Sequence, residues 1–279
     1  MLPAGVEHFV AHAGNVRLHC AAMGPRDGPL VVLLHGFPEC WISWRYQLPA
    51  LAAAGFRAVA PDLRGYGSSD KPRKVADYRL DLLVGDVTGL ISALGRDRAD
   101  LVGHDWGAHI AWHVAMWRPA RVRKLAILNL PHPERMWRGL RTVRQLRKSW
   151  YFFFFQLPVL PERFMAAERL RNLFRYTPAR RAAYDDGDIE AIVAALGDRS
   201  GPIHYYRAAA RHRGPRWKPV EAETLIIWGD RDRWLGSELA EPDRGWVPRF
   251  QLKRIPSATH WVQADAPDRV NELLLSFLR

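Results

Sequence analysis

Cysteine is scarce: Cys20 and Cys40 are the only two in 279 residues. Two thiols give no disulfide framework, and reduced side chains in a cytoplasmic protein are the simplest reading. No apolar run approaches the roughly eighteen residues of a membrane span. The longest aromatic stretch, 150–160, is too short and is closed by Pro158 and Pro161. The first ten residues carry Glu7 and His8 and no basic start, so no secretory signal is expected there. Acidic residues are also few: 29 Asp and Glu face 41 Lys and Arg, a formal net charge of +12. The excess is nearly all arginine and concentrates mid-chain, with Arg135, Arg138, Arg141, Arg144 and Arg147 at every third position. That spacing winds slowly around a helix and need not form one face. A solvated arginine-rich surface accounts for it, with an anionic-membrane surface as the alternative. No recognition motif or aromatic–basic interleaving accompanies the charge, so no nucleic-acid partner is expected.

Two further absences narrow the chemistry. Gly65-Tyr66-Gly67 lacks the third glycine of a dinucleotide fingerprint and opens no helix. His109 and His113 have the spacing of a zinc pair, but residue 110 is isoleucine where the motif requires glutamate. No third ligand suggests itself, so neither a metal nor a cofactor is expected.

What is present alternates. Residues 6–12 and 16–22 read as an antiparallel pair turning at Gly14-Asn15. A continuous apolar run at 29–34 has the character of a parallel strand buried on both faces, and further strands are read at 56–60, 99–102 and 122–128. Helical periodicity lies between them, including 41–54 and 106–117. From about Glu134 to Arg216 the pattern is helical and aromatic without a strand; it then resumes with strands at 224–228 and 250–254 and a helix over 263–278. The expected fold is therefore α/β, a mostly parallel doubly wound sheet with an inserted all-helical cap. The core is 1–133 with 217–279, and the cap is 134–216, after the sixth strand.

The motif with most chemical content is Gly103-His104-Asp105-Trp106-Gly107. It has the form of a nucleophile elbow, between a strand and a helix, but no serine occupies the centre. An aspartate there suits attack on an sp³ carbon, giving an alkyl–enzyme ester. The alternative is a glycine-rich turn whose Asp105 only caps a helix. A nucleophile needs a base, an acid and an oxyanion hole, which open sheets place at strand C-terminal ends. Gly229-Asp230-Arg231-Asp232 offers Asp232 as acid, with Asp230 as competitor; Thr259-His260-Trp261 offers His260 as base. The order nucleophile, acid, histidine is that of hydrolases. The backbone N–H groups of Phe37 and Trp106 form the expected oxyanion hole. Phe37-Pro38 is a candidate cis peptide, and His35, His104 and His132 are read as structural.

These segments, with His35-Gly36-Phe37-Pro38-Glu39 and Asp62-Leu63-Arg64-Gly65-Tyr66-Gly67-Ser68-Ser69, resemble the α/β-hydrolase fold family and, within it, the epoxide hydrolases. The resemblance spans almost the whole chain. It implies a cofactor-independent enzyme that opens a small apolar epoxide to a diol, with His260-activated water hydrolysing the Asp105 ester. It also implies two cap tyrosines as proton donors. Residues 150–158 are similar to the first tyrosine segment, placing Tyr151; 204–207 resemble the second, placing Tyr206, with adjacent Tyr205 as the competing position. Phe37, Trp106, Phe152, Phe155 and Trp261 are the expected substrate-binding side chains. Cys40 stands where serine is common, near the expected site, which suggests thiol sensitivity; His204 replaces a more usual asparagine. The same nucleophile also serves haloalkane and haloacid dehalogenases. A non-catalytic protein binding an anionic partner through its basic cap is the remaining alternative, and the expected assembly is a monomer or homodimer.

Overall fold

The strands form one sheet in the order β1-β2-β4-β3-β5-β6-β7-β8. A computed structural model describes residues 3–197, 199–212, 214 and 216–279. The strands are β1 (Glu7–Ala13), β2 (Val16–Met23), β3 (Leu30–Leu34), β4 (Arg57–Pro61), β5 (Ala99–His104), β6 (Val122–Leu128), β7 (Glu223–Gly229) and β8 (Phe250–Ile255). β2 runs antiparallel to both neighbours, and every pairing from β4 to β8 is parallel. Helices α1 (Gln47–Ala53), α2 (Leu80–Ala93) and α3 (Trp106–Trp117) precede β6. Between β6 and β7 come α4 (Pro133–Gly139), α5 (Val143–Lys148), α6 (Trp150–Phe154), α7 (Leu160–Phe164), α8 (Ala167–Tyr176), α9 (Asp186–Ala195) and α10 (Ser200–Arg211). No strand lies among them in the described residues. α11 (Val262–Asp265) and α12 (Pro267–Leu278) close the chain.

The apolar runs become central strands because both sheet faces are covered. All five residues of β3 and all six of β5 are buried. Each large aliphatic residue so placed stabilises the fold by roughly 1.5–3 kcal/mol. The edge strand β8 alternates instead. Parallel register then sets the site: Leu34 pairs with Gly103, His104 with Leu128, Leu128 with Ile227, and Gly229 with Ile255. The loops leaving β3, β5, β6, β7 and β8 therefore emerge side by side.

Two of the expected helices are divided at proline. The expected 41–54 helix is a 3₁₀ turn at Trp41–Trp44 followed by α1. A continuous helix would need Pro49 to donate to the Arg45 carbonyl, and proline has no N–H. In the first turn of α1 that loss costs nothing, because those donors lack partners anyway. The expected 263–278 helix divides at Ala266, with Pro267 opening α12.

The helical insertion is fastened to the sheet through polar groups. Tyr205 donates to the Arg64 carbonyl at 2.7 Å, Tyr184 to Glu39 Oε1 at 2.7 Å, and Trp261 Nε1 to Thr177 Oγ1 at 2.8 Å. The buried Arg45–Asp188 pair at 2.9 Å adds a further tie.

Candidate active site

β5 ends at His104 and α3 begins at Trp106, leaving Asp105 between them at φ 49°, ψ −120°. A non-glycine residue in this region is strained and persists only when its surroundings demand it. Here they do: a Cβ on Gly107 would strike the Leu34 and His35 carbonyls, and one on Gly36 would strike the Asp105 side chain. Asp105 does not cap α3 through its side chain, which disposes of the helix-cap alternative. Instead Oδ1 accepts the Phe37 N–H at 2.8 Å. Trp106 opens α3, so its N–H is one of the four that lack an intrahelical acceptor. Phe37-Pro38 is cis, as the sequence suggests. His35 lies beneath this loop: Nδ1–H donates to the Gly36 carbonyl at 2.9 Å and Nε2 accepts the Leu63 N–H at 3.0 Å.

His260 faces the second carboxylate oxygen, with Nε2 at 3.5 Å from Asp105 Oδ2. That separation exceeds a normal N–H···O bond, so Oδ2 is adjacent to the imidazole without being locked to it. Nδ1 bonds Asp232 Oδ2 at 2.7 Å. Asp232 Oδ1 accepts the N–H groups of Trp234 and Leu235 at 2.8 and 2.9 Å. Its competitor Asp230 is turned outward to Arg254 at 2.7 Å. Burial alone would depress His260, but Asp232 and Asp105 overcome it and lift the imidazole to about 10. Burial likewise opposes both carboxylates, yet His260 and the hydrogen bonds around them hold each below its usual range.

Asn129 and Glu39 escaped the sequence reading, whereas His104, read as structural, is hydrogen-bonded on both ring nitrogens. Asn129, just past β6 at φ 43°, donates to Asp232 Oδ2 at 2.9 Å and accepts the Gly229 N–H at 2.8 Å. Its position past a parallel strand, and asparagine's tolerance of positive φ, were the available signals. Asn129→Ala leaves a buried carboxylate short of one donor, and chemical denaturation should show a loss of about 1–3 kcal/mol. An unchanged unfolding free energy would contradict that role. Behind His260, His104 sits between the His260 carbonyl at 2.8 Å and Glu39 Oε2 at 2.9 Å. Burial would raise the Glu39 carboxyl, but His104, Ser43 and Tyr184 hold it lower. This wholly buried cluster fixes the backbone that carries the imidazole.

Above Asp105 lies a cavity of about 350 Å³. Phe37, Asp105, Tyr151, Phe155, Tyr206, Trp234, His260 and Trp261 line it, while Trp150, Arg169 and Asn172 reach it from the surface. Tyr206 rather than Tyr205 faces inward, because Tyr205 is committed to the Arg64 carbonyl. The Tyr151 and Tyr206 rings are 5.9 Å apart. Burial, reinforced by the Asp105 charge, pushes both phenols up, so they remain protonated donors. Two expected lining residues are corrected. Trp106 stacks edge-on against Tyr205 and Tyr206 at 5.4 and 5.0 Å, and Phe152 packs at 6.1 Å from Tyr206. Each supports the tyrosines from outside the cavity. Cys40 is also corrected: it is fully buried, burial pushes its thiol well up, and it does not line the cavity, so thiol sensitivity has no basis there. His113 donates to the His109 carbonyl at 2.7 Å, and no group of three metal-ligating side chains occurs among the described residues.

A model of the alpha/beta hydrolase fold family matches residues 29–267. Epoxide hydrolase 4 of Homo sapiens is 39% identical over 278 residues, covering 95% of this chain and 76% of its own. AB hydrolase superfamily protein YfhM of Bacillus subtilis is 37% identical over 288 residues, covering 99% of both. A crystal structure of a mutant epoxide hydrolase from Bacillus megaterium, complexed with a naphthyloxy-propanediol product, superposes with a TM-score of 0.87 at 31% identity. The match covers 98% of this chain and 99% of that one.

Proposed function

Because the chain belongs to the alpha/beta hydrolase fold family, among its epoxide hydrolases, we propose that it opens apolar epoxides to vicinal diols through an ester on Asp105. The observation that carries this reading is the pair of phenols, Tyr151 and Tyr206, sharing one apolar cavity with the Asp105 carboxylate. Oδ2 attacks a ring carbon, the C–O bond breaks, and a phenol protonates the departing oxygen. Oδ1, already on the Phe37 N–H, becomes the ester carbonyl oxygen.

Proton accounting explains the raised imidazole. The resting pair is imidazolium beside carboxylate. Alkylation neutralises Asp105 and removes one of the two charges that keep the proton on His260. That proton passes to the phenolate, leaving neutral imidazole. Water attacks the ester carbonyl, giving its proton to His260, and the oxygen from Oδ1 carries the tetrahedral charge in the oxyanion hole. Collapse expels the alkoxide, which takes the remaining proton of the added water, so that diol leaves and imidazolium and carboxylate are restored. Asp232 fixes the ring through Nδ1 throughout.

A dehalogenase would need donors for a departing halide. Phe37 offers no side-chain donor, and Trp106 packs edge-on against Tyr206 and is absent from the cavity lining. Incubating the protein separately with an aryl epoxide and a chloroalkane of matched shape tests this directly. Diol from the first without chloride from the second is expected; chloride release with no diol would reverse the assignment.

A further inference from the structure

Exposed apolar side chains are concentrated in one segment of the described residues. Among the described residues, ten large hydrophobic side chains are exposed, and eight of them lie between Trp137 and Leu160. Val143, Leu146, Trp150, Phe153, Leu157 and Leu160 recur at alternating steps of three and four, and each is between 43% and 65% exposed. Exposed large apolar side chains concentrated in one segment across α5, α6 and α7, rather than scattered along the chain, point to an interaction site. Its charge is one-sided. From 135 to 163 there are seven basic residues and one acidic residue, Glu162, which is paired with Arg207 at 2.6 Å. Arg141, Arg147 and Arg163 have no carboxylate partner among the described residues, and the Arg141 guanidinium carbon lies over the Trp137 ring, 3.4 Å from its centroid. Trp150 belongs both to the exposed row and to the cavity lining.

We propose that this segment docks on an anionic lipid surface, the apolar row entering the headgroup boundary and the arginines meeting lipid phosphates. Exposed Trp, Phe and Leu beside arginine is the composition of interfacial elements that lie on a bilayer without crossing it. No described helix is long and apolar enough to cross. Charge selects the occupant: a second copy would bring like-charged arginine rows together, whereas an anionic bilayer neutralises them. Docking also places the cavity mouth, at Trp150, against the phase in which apolar molecules collect.

The test is co-sedimentation with vesicles of phosphatidylcholine alone or containing phosphatidylserine, which requires no activity and is independent of the reaction proposed above. Wild type should bind the anionic vesicles, bind the neutral ones at least about tenfold more weakly, and release in high salt. Leu146→Ser/Leu157→Ser should lose about tenfold in binding. Arg141→Glu/Arg147→Glu should lose more, at roughly fivefold or greater per side chain. Thermal unfolding midpoints close to wild type would establish that both variants fold. Equal binding of folded variants and wild type would overturn the proposal, as would loss only in the arginine variant, which would indicate an anion-binding surface without insertion. Self-association abolished by the same substitutions would replace the bilayer with a second copy.

Discussion

His260→Gln should form the ester and fail to release it. Intact mass spectrometry after mixing with an aryl epoxide is expected to show one added substrate mass, while steady-state turnover falls on the order of 10⁴-fold. Oδ2, the attacking oxygen beside His260, is already ionised and needs no base, whereas water must give its proton to His260. The two half-reactions should also separate by pH. Alkylation needs ionised Asp105, held below the ordinary carboxylate range, so it persists as pH falls past the usual carboxylate values. Hydrolysis needs neutral His260. In the ester its proton affinity drops from about 10 because Asp105 is uncharged, but Asp232 still supports it. Acidification therefore stops hydrolysis before alkylation, and wild type quenched near pH 5 should itself carry ester. An unmodified mass for the glutamine variant, with wild-type alkylation chemistry otherwise intact, would remove His260 from the base role.

The second large effect belongs to the phenols. Tyr151→Phe or Tyr206→Phe alone should slow alkylation roughly 10–100-fold, because the other phenol still reaches the opening oxygen. Together they should cost on the order of 10⁴-fold, the scale of losing proton transfer to an alkoxide leaving group. The rings differ by one oxygen, so packing against Phe37 and Phe155, with centroids 5.2 and 4.8 Å from Tyr206, is preserved. Rapid-quench measurement of ester formation distinguishes this from a binding defect. Tyr205→Phe is the control: its hydroxyl serves the Arg64 carbonyl, so it should reduce stability more than alkylation rate. A double variant that alkylates at the wild-type rate would exclude phenolic acid catalysis.

Much of this arrangement was legible because local and global signals agree. The run ending at His104, the glycines at 103 and 107 and the helical pattern after Trp106 all specify one turn, and sterics around Asp105 leave little choice. The order Asp105, Asp232, His260 became a site because parallel register aligns the loops that bear them. Adjacent Tyr205 and Tyr206 could not be separated by periodicity, since both are buried; a carbonyl on another element decides between them. Phe152 and Trp106 were misassigned for the same reason, aromatic composition being blind to which side of a wall a ring lies on. Asn129, Glu39 and His104 act through partners 65 to 156 residues away in sequence, which no local pattern encodes. The arginine row was visible throughout. What the sequence does not show is that the apolar side chains between the arginines are exposed.

A single turnover in heavy-oxygen water, with enzyme in excess over epoxide, addresses the nucleophile itself. Attack by Asp105 followed by water at the ester carbonyl puts the label into the peptide bearing Asp105 and leaves the first diol unlabelled. Label in that first diol, with none in the Asp105 peptide, would mean that water opened the ring directly and that no ester formed.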